Sequence, residues 1–222
     1  MTDVLRALLP AEVEVEETTS DFVAASPFAE ERAVVARAVT ARRAEFFSTR
    51  ECARRALMRL GMPASPIVPG QHREPMWPEG VVGSLTHCDG YRAAAVARES
   101  TIAAIGIDAE PHGPLPHGVA NLVMLDDERP HLAVLAATAR EISWDKILFS
   151  AKESVFKAWF PVTRMWLDFT ECEIRIDPEA GTFAAEILVS GPHFGTQRLD
   201  GFGGHWAVVG NLVVTSVCVL RS

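Results

Sequence analysis

Two acidic residues at the end of a predicted strand could bind a divalent cation. Asp108 and Glu110 lie in an apolar run, residues 105–111, that ends at Pro111. Side chains two positions apart in a strand point to the same face, so the two carboxylates are predicted to lie side by side. Like charges this close are tolerated when water surrounds them or when a hard cation such as Mg²⁺ binds their oxygens. Both interpretations are open at this point.

A third acidic residue, Glu153, lies in a helix predicted to begin after Ser143 and to end at Pro161. Bulky apolar residues such as Phe156 fall on its side of the helix, which predicts that Glu153 lies in a cleft. Lys157 follows one turn later. A Glu–Lys pair at this spacing is usually an exposed ion pair worth about 0.2–0.5 kcal/mol. In a cleft, the same pair could act as base and acid.

The basic residues are concentrated in one segment. Eighteen of the 21 are Arg, and eight of these lie between Arg32 and Arg59, although the net charge of the chain is −8. The overall charge argues against nucleic-acid binding, which depends on neutralising many phosphates. A cluster of Arg in an acidic protein instead indicates a small phosphorylated ligand, unless the Arg side chains only solvate a helix face.

Thr86 and His87 end another predicted strand and precede Gly90, where a turn could present them to a ligand. Hydrogen bonding to phosphate suits an imidazole and a hydroxyl. A zinc site formed by His87 and Cys88 is the alternative, but no further ligand stands at metal-binding spacing.

The elements around the Arg cluster are predicted to be helical. Apolar residues recur at helical spacing over residues 30–60, and Gly61 stops the pattern. Ser48 and Glu51 fit a capping box, so we predict a break there and a second helix that begins at Ser48. The N-terminus of that helix would favour an anion close to Arg50.

Strand patterns occur in both halves of the chain. Residues 81–97 and 102–109 are predicted to form the sheet of a first lobe, and the breaker-rich stretch after Pro111 marks the lobe boundary. After residue 172, alternating patterns and a turn at residues 210–211 predict the antiparallel strands of a second sheet. The fold class is therefore predicted to be α+β.

The composition bounds the remaining possibilities. With 222 residues, 48% of them hydrophobic and 23% charged, the chain can bury an ordinary globular core. Its four Cys are scattered and are predicted to be free thiols. The absence of a long apolar run or a signal-like N-terminus predicts a cytoplasmic protein without membrane contact. Phosphate-binding Gly-Lys-Ser/Thr loops and Gly-x-Gly-x-x-Gly motifs are also missing, which disfavours kinases, ATPases and dehydrogenases.

Taken together, these segments resemble the 4′-phosphopantetheinyl transferases, specifically the monomeric two-lobed kind of the enterobactin-synthetase component D type. Four blocks occur in the right order, of which the last two are the most specific: TREСAR-type residues at 49–54, EPMWP at 74–78 leading to GSLTHC at 83–88, GIDAE at 106–110, and FSAKESVFKAW at 149–159. The resemblance implies a pseudo-two-fold duplication of a helix plus antiparallel-sheet lobe. The lobes would be residues 1–111 and 112–222, with coenzyme A between them.

The resemblance also implies the chemistry. Asp108, Glu110 and Glu153 would hold Mg²⁺, or Mn²⁺, on the pyrophosphate of coenzyme A. Glu153 would take the proton from a carrier-protein serine, directly or through water, as its oxygen attacks the β-phosphorus. Lys157 would support the departing 3′,5′-ADP. Asp108, Glu153 and Lys157 are thus the implied catalytic residues.

The implied contacts with coenzyme A are basic and hydroxyl side chains, besides Asp108 through the metal. Arg42, Arg43 and Arg50 would bind the ribose 3′-phosphate. Thr86 and His87 would contact phosphate groups. Lys152 and Lys157 would bind the pyrophosphate. Where relatives often carry a basic residue before the Gly of a loop, this chain has Pro69, and His72 or Arg73 could supply that contact.

The implied partners are apo carrier proteins or carrier domains of fatty acid, polyketide or nonribosomal peptide synthases, including those of siderophore synthesis, and the enzyme is expected to be a monomer. Two alternatives use the same residues. One is a Mg²⁺-dependent nucleotide phosphohydrolase, in which water attacks instead of serine. The other is a non-catalytic coenzyme A-binding protein, in which Glu153 and Lys157 form only an ion pair.

Overall fold

A computed structural model describes residues 3–22, 24–191, 193–194 and 197–221 of the chain. Five α-helices lie in these ranges: α1 (Ala29–Val34), α2 (Thr40–Arg59), α3 (Val119–Val123), α4 (Glu128–Thr138) and α5 (Trp144–Thr163). The strands are β1 (Glu14–Thr18), β2 (Val81–Cys88), β3 (Tyr91–Arg98), β4 (Ile102–Pro111), β5 (Cys172–Asp177), β6 (Thr182–Ile187), β7 (His193–Phe194), β8 (Gln197–Arg198), β9 (Gly201–Val209) and β10 (Leu212–Leu220).

The strands form antiparallel sheets, and helices pack against the two larger ones. The first sheet has the order β1-β3-β2 and the second β4-β10-β9-β6-β5, while β7 and β8 form a separate pair. Helix α2 buries Cys52, Ala56 and Leu57 against the first sheet. Helix α5 buries Ile147, Leu148 and other apolar residues against the second sheet. The predicted α+β fold class is confirmed.

The predicted composition of the first sheet is wrong in one strand. β4 does not join β2 and β3 in a ladder but pairs along its length with β10, with Asp108 directly opposite Thr215. β4 is almost completely buried, and pairing with the equally apolar β10 satisfies its backbone on that side. Sorted by sheet, the chain therefore divides between β3 and β4, while the lobe bounds 1–111 and 112–222 stay a prediction.

The predicted helix break at Ser48 is also wrong. α2 runs without interruption through this position, and the gap between the two helices lies at residues 35–39. The buried side of α2 continues across the expected break with Phe47, Ser48 and Thr49, so packing keeps the helix together. The hydroxyl of Ser48 accepts a hydrogen bond from the backbone N–H of Phe22, at 2.8 Å, instead of capping a helix.

Helix α5 lies unusually close to β4 at a glycine. A Cβ atom added at Gly106 would stand 1.8 Å from the backbone oxygen of Ser154. The helix begins after Ser143, as predicted, but the Ser143 side chain makes no capping bond. It continues past Pro161 to Thr163 and ends where Arg164 adopts a left-handed conformation with φ of 55°.

The two sheets meet through side-chain hydroxyls. The edge of β4 that does not face β10 turns towards β2, where the Ser84 hydroxyl accepts from the N–H of Ile107 at 3.2 Å. The Thr86 hydroxyl accepts from the N–H of Ala109 at 2.9 Å. These bonds occupy backbone donors of a buried strand edge that would otherwise lack acceptors.

The cysteines form no disulfide bonds among themselves. All four Cys are free, as predicted. Burial raises the pKa of each thiol, to about 12 for Cys52, Cys88 and Cys172 and about 11 for Cys218, so they are protonated near neutral pH. Among the described residues, every helix is too short or too polar to cross a bilayer.

Candidate active site

A cleft of about 670 Å³ lies between the elements of the two sheets. One side is formed by α2, β2 and the loop that carries residues 72–77, and the other by β4 and α5. The chain therefore brings together residues that are more than 100 positions apart, from Arg42 to Lys157. The lining combines cationic side chains with four carboxylates, those of Glu74, Glu99, Asp108 and Glu153.

Asp108 is the most buried of the charged residues that line the cleft, with 5% of its surface exposed. Its Oδ1 accepts a hydrogen bond from the Lys157 ammonium at 2.7 Å, and its Oδ2 accepts from the Ser150 hydroxyl at 2.8 Å. Lys157 also donates to the backbone oxygen of Ile107, at 3.0 Å. The Asp108 carboxylate of β4 and the Lys157 ammonium of α5 thus face each other at the wall of the cleft.

Glu153 lies one helical turn before Lys157 and lines the same cleft. Burial raises the pKa of its carboxyl group; Lys157 opposes this shift, and the negative charges of Asp108 and Glu110 add to it. A carboxyl group with a raised pKa is a stronger base once deprotonated, which is the property required of a proton acceptor.

Glu110 lies beside Asp108 and Glu153. Its carboxylate contacts the Lys146 ammonium at 3.4 Å, and it is not among the residues that line the cleft. Burial, followed by the charge of Asp108, raises the pKa of its carboxyl group, while Lys146 and Lys157 lower it. The carboxylates of Asp108, Glu110 and Glu153 repel one another, and a bound cation would reduce this repulsion.

The predicted magnesium ligands fit the ion in part. No three His, Cys, Asp or Glu side chains within the described ranges converge closely enough to form a complete metal cage. Mg²⁺ usually takes one or two protein carboxylates together with phosphate oxygens and water. Asp108 and Glu153, which share the cleft, meet that requirement, whereas Glu110 is directed to Lys146.

The opposite wall of the cleft is basic. The Arg42 guanidinium makes a close contact with Nε2 of His87 and an ion pair with Glu45 at 3.2 Å. Burial, and after it the charge of Arg42, lowers the pKa of His87 to about 4, so the ring is neutral near neutral pH. Because a guanidinium can only donate, Nε2 of His87 accepts, and the hydrogen of the neutral ring lies on Nδ1.

Arg50 lies deeper in the same wall. It stacks on the ring of Phe46 at 3.7 Å and donates to the backbone oxygen of Ile67 at 3.3 Å. Burial lowers its pKa to about 10, which still leaves it charged at neutral pH. Arg43, by contrast, is exposed on α2 and does not line the cleft.

The loop with His72 and Arg73 lies at the mouth of the cleft and connects both sides. The His72 ring packs against Phe160 of α5 at 5.2 Å. Glu74 accepts from the backbone N–H of His72 at 2.9 Å and from Arg164 at 3.0 Å. Both predicted replacements for the basic residue at Pro69 therefore line the cleft.

Two of the predicted contact residues have other partners. Thr86 lines the cleft, but its hydroxyl oxygen already accepts from Ala109, as described above. Lys152 is the clearer case, and its predicted contact with a pyrophosphate requires correction. Its ammonium is 0% exposed and donates to Glu128 and to the backbone oxygens of Val123 and Phe169, at 2.8–2.9 Å.

The reason is helical geometry. Lys152 precedes Glu153 by one residue, so the two side chains are directed about 100° apart around α5. Glu153 faces the cleft and Lys152 faces the interior of the second-sheet half. All three hydrogens of the ammonium are used there, which stabilises a buried charge.

Sequence reasoning did not assign roles to Ser150 or Thr215. Ser150 is part of the motif on α5, and its contact with Asp108 follows only from the packing of α5 on β4. Thr215 lies within an apolar strand pattern, and no signal in the sequence distinguishes it from a core residue. Its position opposite Asp108 depends on the register of β10 with β4.

Comparison with known proteins places the chain among relatives along most of its length. Residues 30–97 match the family model of the 4′-phosphopantetheinyl transferase N-terminal domain, and residues 104–209 match that of the 4′-phosphopantetheinyl transferase superfamily. The boundary between the two matches coincides with the division between β3 and β4.

Individual proteins give the same result. The chain is 58% identical over 192 residues to the 4′-phosphopantetheinyl transferase Svp of Streptomyces mobaraensis, in an alignment that covers 86% of this chain and 78% of Svp. It is 41% identical over 221 residues to the 4′-phosphopantetheinyl transferase PptT of Mycobacterium tuberculosis, covering 98% and 96% of the two chains. The enterobactin synthase component D of Salmonella typhi is 34% identical over 121 residues, 53% of this chain and 48% of that protein.

Proposed function

The chain belongs to the 4′-phosphopantetheinyl transferase superfamily, enzymes that transfer the phosphopantetheine group of coenzyme A to carrier proteins, and we propose that Asp108, Glu153 and Lys157 carry out this transfer in the cleft. The observation that carries the proposal is the convergence of these three side chains, from β4 and α5, opposite a basic wall formed by α2 and β2. The acceptor is a serine hydroxyl of the carrier, and 3′,5′-ADP is released.

Asp108 and Glu153 are the proposed magnesium ligands, with Glu110 beside them. When bound, the metal supplies charge neutralisation on the pyrophosphate of coenzyme A, as in other phosphoryl transfers. Support comes from the pKa of Glu153, which burial raises and to which the charges of Asp108 and Glu110 add. Mn²⁺ has the same preference for oxygen ligands and is expected to substitute.

The basic wall is proposed to bind the phosphates of coenzyme A. Arg50 is the candidate for the ribose 3′-phosphate because it is charged and held in place by Phe46 and Ile67. Arg42 and His87 contact each other and add a guanidinium and an Nδ1 hydrogen as donors. A hydrogen bond of this kind between charged groups contributes about 1.5–3 kcal/mol.

Glu153 is proposed to accept the proton of the attacking serine, directly or through a water molecule. Its raised pKa makes it an effective base, and its place on α5 puts it next to Lys157. Lys157 is the proposed partner of the leaving 3′,5′-ADP, and its ammonium is held at Asp108 by the 2.7 Å contact. Such a reaction needs positioning and charge stabilisation but no covalent enzyme intermediate.

The remaining contacts at the mouth of the cleft are proposals of the same kind. His72 and Arg73 would supply the basic group that is absent at Pro69, and Thr86 would approach a phosphate through its hydroxyl hydrogen. The carriers are proposed to be those of fatty acid, polyketide or nonribosomal peptide synthases. A siderophore pathway is supported only by the name of the more distant relative, enterobactin synthase component D. A monomeric, cytoplasmic enzyme remains our prediction.

The decisive experiment is intact-protein mass spectrometry of an apo acyl carrier protein and an apo peptidyl carrier domain after incubation with the enzyme and coenzyme A. We expect the mass of one phosphopantetheine to be added with Mg²⁺ and not with EDTA. Hydrolysis of coenzyme A without carrier modification would favour the phosphohydrolase alternative. Binding of coenzyme A without any reaction would favour the non-catalytic alternative.

A further inference from the structure

A chain of buried hydroxyl groups lies behind Asp108. Ser150 donates to Oδ2 of Asp108 at 2.8 Å, and its Oγ lies 3.0 Å from Oγ1 of Thr215. Oγ1 of Thr215 in turn lies 2.6 Å from Oγ of Ser154. The three hydroxyl residues are 0% exposed, and none of them lines the cleft.

The direction of these hydrogen bonds follows from the number of hydrogens. Ser150 has one hydroxyl hydrogen and gives it to Asp108, so it can only accept at its contact with Thr215. Thr215 therefore directs its hydrogen to Ser150, shared between the hydroxyl oxygen and the backbone oxygen, which is 2.8 Å away. Ser154 then donates to Thr215. The order of donation therefore runs from Ser154 to Thr215, from Thr215 to the two oxygens of Ser150, and from the Ser150 hydroxyl to Asp108.

Three elements are needed to build this arrangement. β10 places Thr215 directly opposite Asp108 on β4, and α5 supplies Ser150 and Ser154 one turn apart. Buried hydroxyls are destabilising unless they are hydrogen-bonded, and apolar residues would fill the same space. A polar chain that ends on the most buried carboxylate of the cleft therefore points to a role in orienting that carboxylate.

We propose that Thr215, acting through Ser150, is a positioning residue that fixes Asp108 for metal binding. The inference rests on the proposed function, in which Asp108 is a metal ligand. Ser150 holds Oδ2, so the carboxylate cannot rotate freely and Oδ1 remains directed to Lys157 and the cleft. Groups that orient a metal ligand in this way typically affect metal affinity or activity about 10–100-fold.

The test measures Mn²⁺ binding to the full chain by electron paramagnetic resonance in the presence of coenzyme A, together with transfer activity and thermal unfolding. Thr215→Val removes the hydroxyl with little change in shape, whereas Thr215→Ser retains it. We expect Thr215→Val to weaken Mn²⁺ binding about 10–100-fold and Thr215→Ser to restore wild-type affinity. Ser216→Ala is the matched control, because Ser216 is a neighbouring buried hydroxyl on β10 that donates to Leu8 at 2.8 Å and does not approach Asp108.

A second variant covers the case in which Thr215→Val does not fold. Ser150→Ala lies in α5, where Ala favours the helix, and it removes the hydrogen bond to Asp108 directly. The same loss of Mn²⁺ affinity is expected. Wild-type Mn²⁺ affinity in Thr215→Val or in Ser150→Ala, while Asp108→Ala abolishes binding, would overturn the inference and leave the proposed function intact. Full transfer activity in Asp108→Ala would overturn both.

Discussion

Glu153 combines three properties at one residue: it lines the cleft, its pKa is raised by burial, and it is flanked by the positive charge of Lys157. Substitution by Gln keeps the shape of the side chain but removes both the proton acceptor and the metal-binding charge. We expect Glu153→Gln to lower kcat for carrier modification by a factor of about 10²–10⁴.

The measurement for Glu153→Gln is initial rates of carrier modification, with unfolding by urea as the check on folding. Glu186→Gln, at an exposed position on β6, is the control and should be as active as the wild type. An active Glu153→Gln variant would remove Glu153 from the proposed mechanism.

Arg50 tests the proposed site for the ribose 3′-phosphate. Because Arg50 would contact that phosphate, Arg50→Ala should weaken binding of coenzyme A by about 1.5–3 kcal/mol and binding of dephospho-coenzyme A much less. Isothermal titration calorimetry with both ligands measures the difference. Arg43→Ala, at an exposed position of the same helix, should leave both affinities unchanged. Equal losses for the two ligands in Arg50→Ala would place the 3′-phosphate elsewhere.

At the residue scale, the sequence identified the right types of side chain but could not orient all of them. Helix periodicity places Glu153 and Lys157 on one face of α5, and the packing of α5 on β4 brings that face to Asp108. Lys152 lies in the same motif, but its ammonium is buried with Glu128, a residue of α4 that is 24 positions away and has no recognisable relation to it in the sequence. Such long-range pairs are determined by packing and leave no local pattern.

Gly106 controls how closely two elements approach. A side chain at this position would meet the backbone of α5 at 1.8 Å, and backbone cannot move aside as a flexible side chain can. Since Ser150, Glu153 and Lys157 all lie on α5, displacement of this helix would move them relative to Asp108. We expect Gly106→Ala to reduce the free energy of unfolding by about 1–3 kcal/mol or more and to reduce transfer activity.

Gly203→Ala is the matched control for Gly106→Ala. Gly203 is also a strand glycine, but a Cβ added there has no atom within 4 Å. Urea unfolding and rates of carrier modification should therefore be close to those of the wild type. Equal effects of the two substitutions would show that the contact between α5 and β4 is not the cause.

At the element scale, the sequence predicted the helices and strands better than their partners and boundaries. Periodicity and breakers located α5 and most strands of the two sheets, because these patterns are local. They did not locate β1 of the first sheet. The pairing of β4 with β10 was missed because the two strands are about 100 residues apart and equally apolar. The break predicted at Ser48 was wrong because the buried face of α2 continues across that position.

For the whole molecule, the decisive feature is how the two sheets are joined. The family resemblance implied a duplicated α+β fold, and the two family models confirm the family. The sequence placed the boundary after Pro111, since the strongest breakers occur there. The structure places β4 in the second sheet, and the hydrogen bonds between β4 and β2 help to connect Asp108 to the first sheet.

The hydroxyl of Thr86 provides the last prediction, because it belongs to this joint between the sheets. Thr86→Val would leave the N–H of Ala109 buried without its acceptor, which typically costs about 1–3 kcal/mol. We expect that loss in the free energy of unfolding measured in urea, and Thr86→Ser, which keeps the oxygen, should recover most of it. Ser65→Ala removes an exposed hydroxyl and is the control. If Thr86→Val unfolds at the same urea concentration as the wild type, the Thr86 hydrogen bond does not hold the two sheets together, and the position of Asp108 does not depend on it.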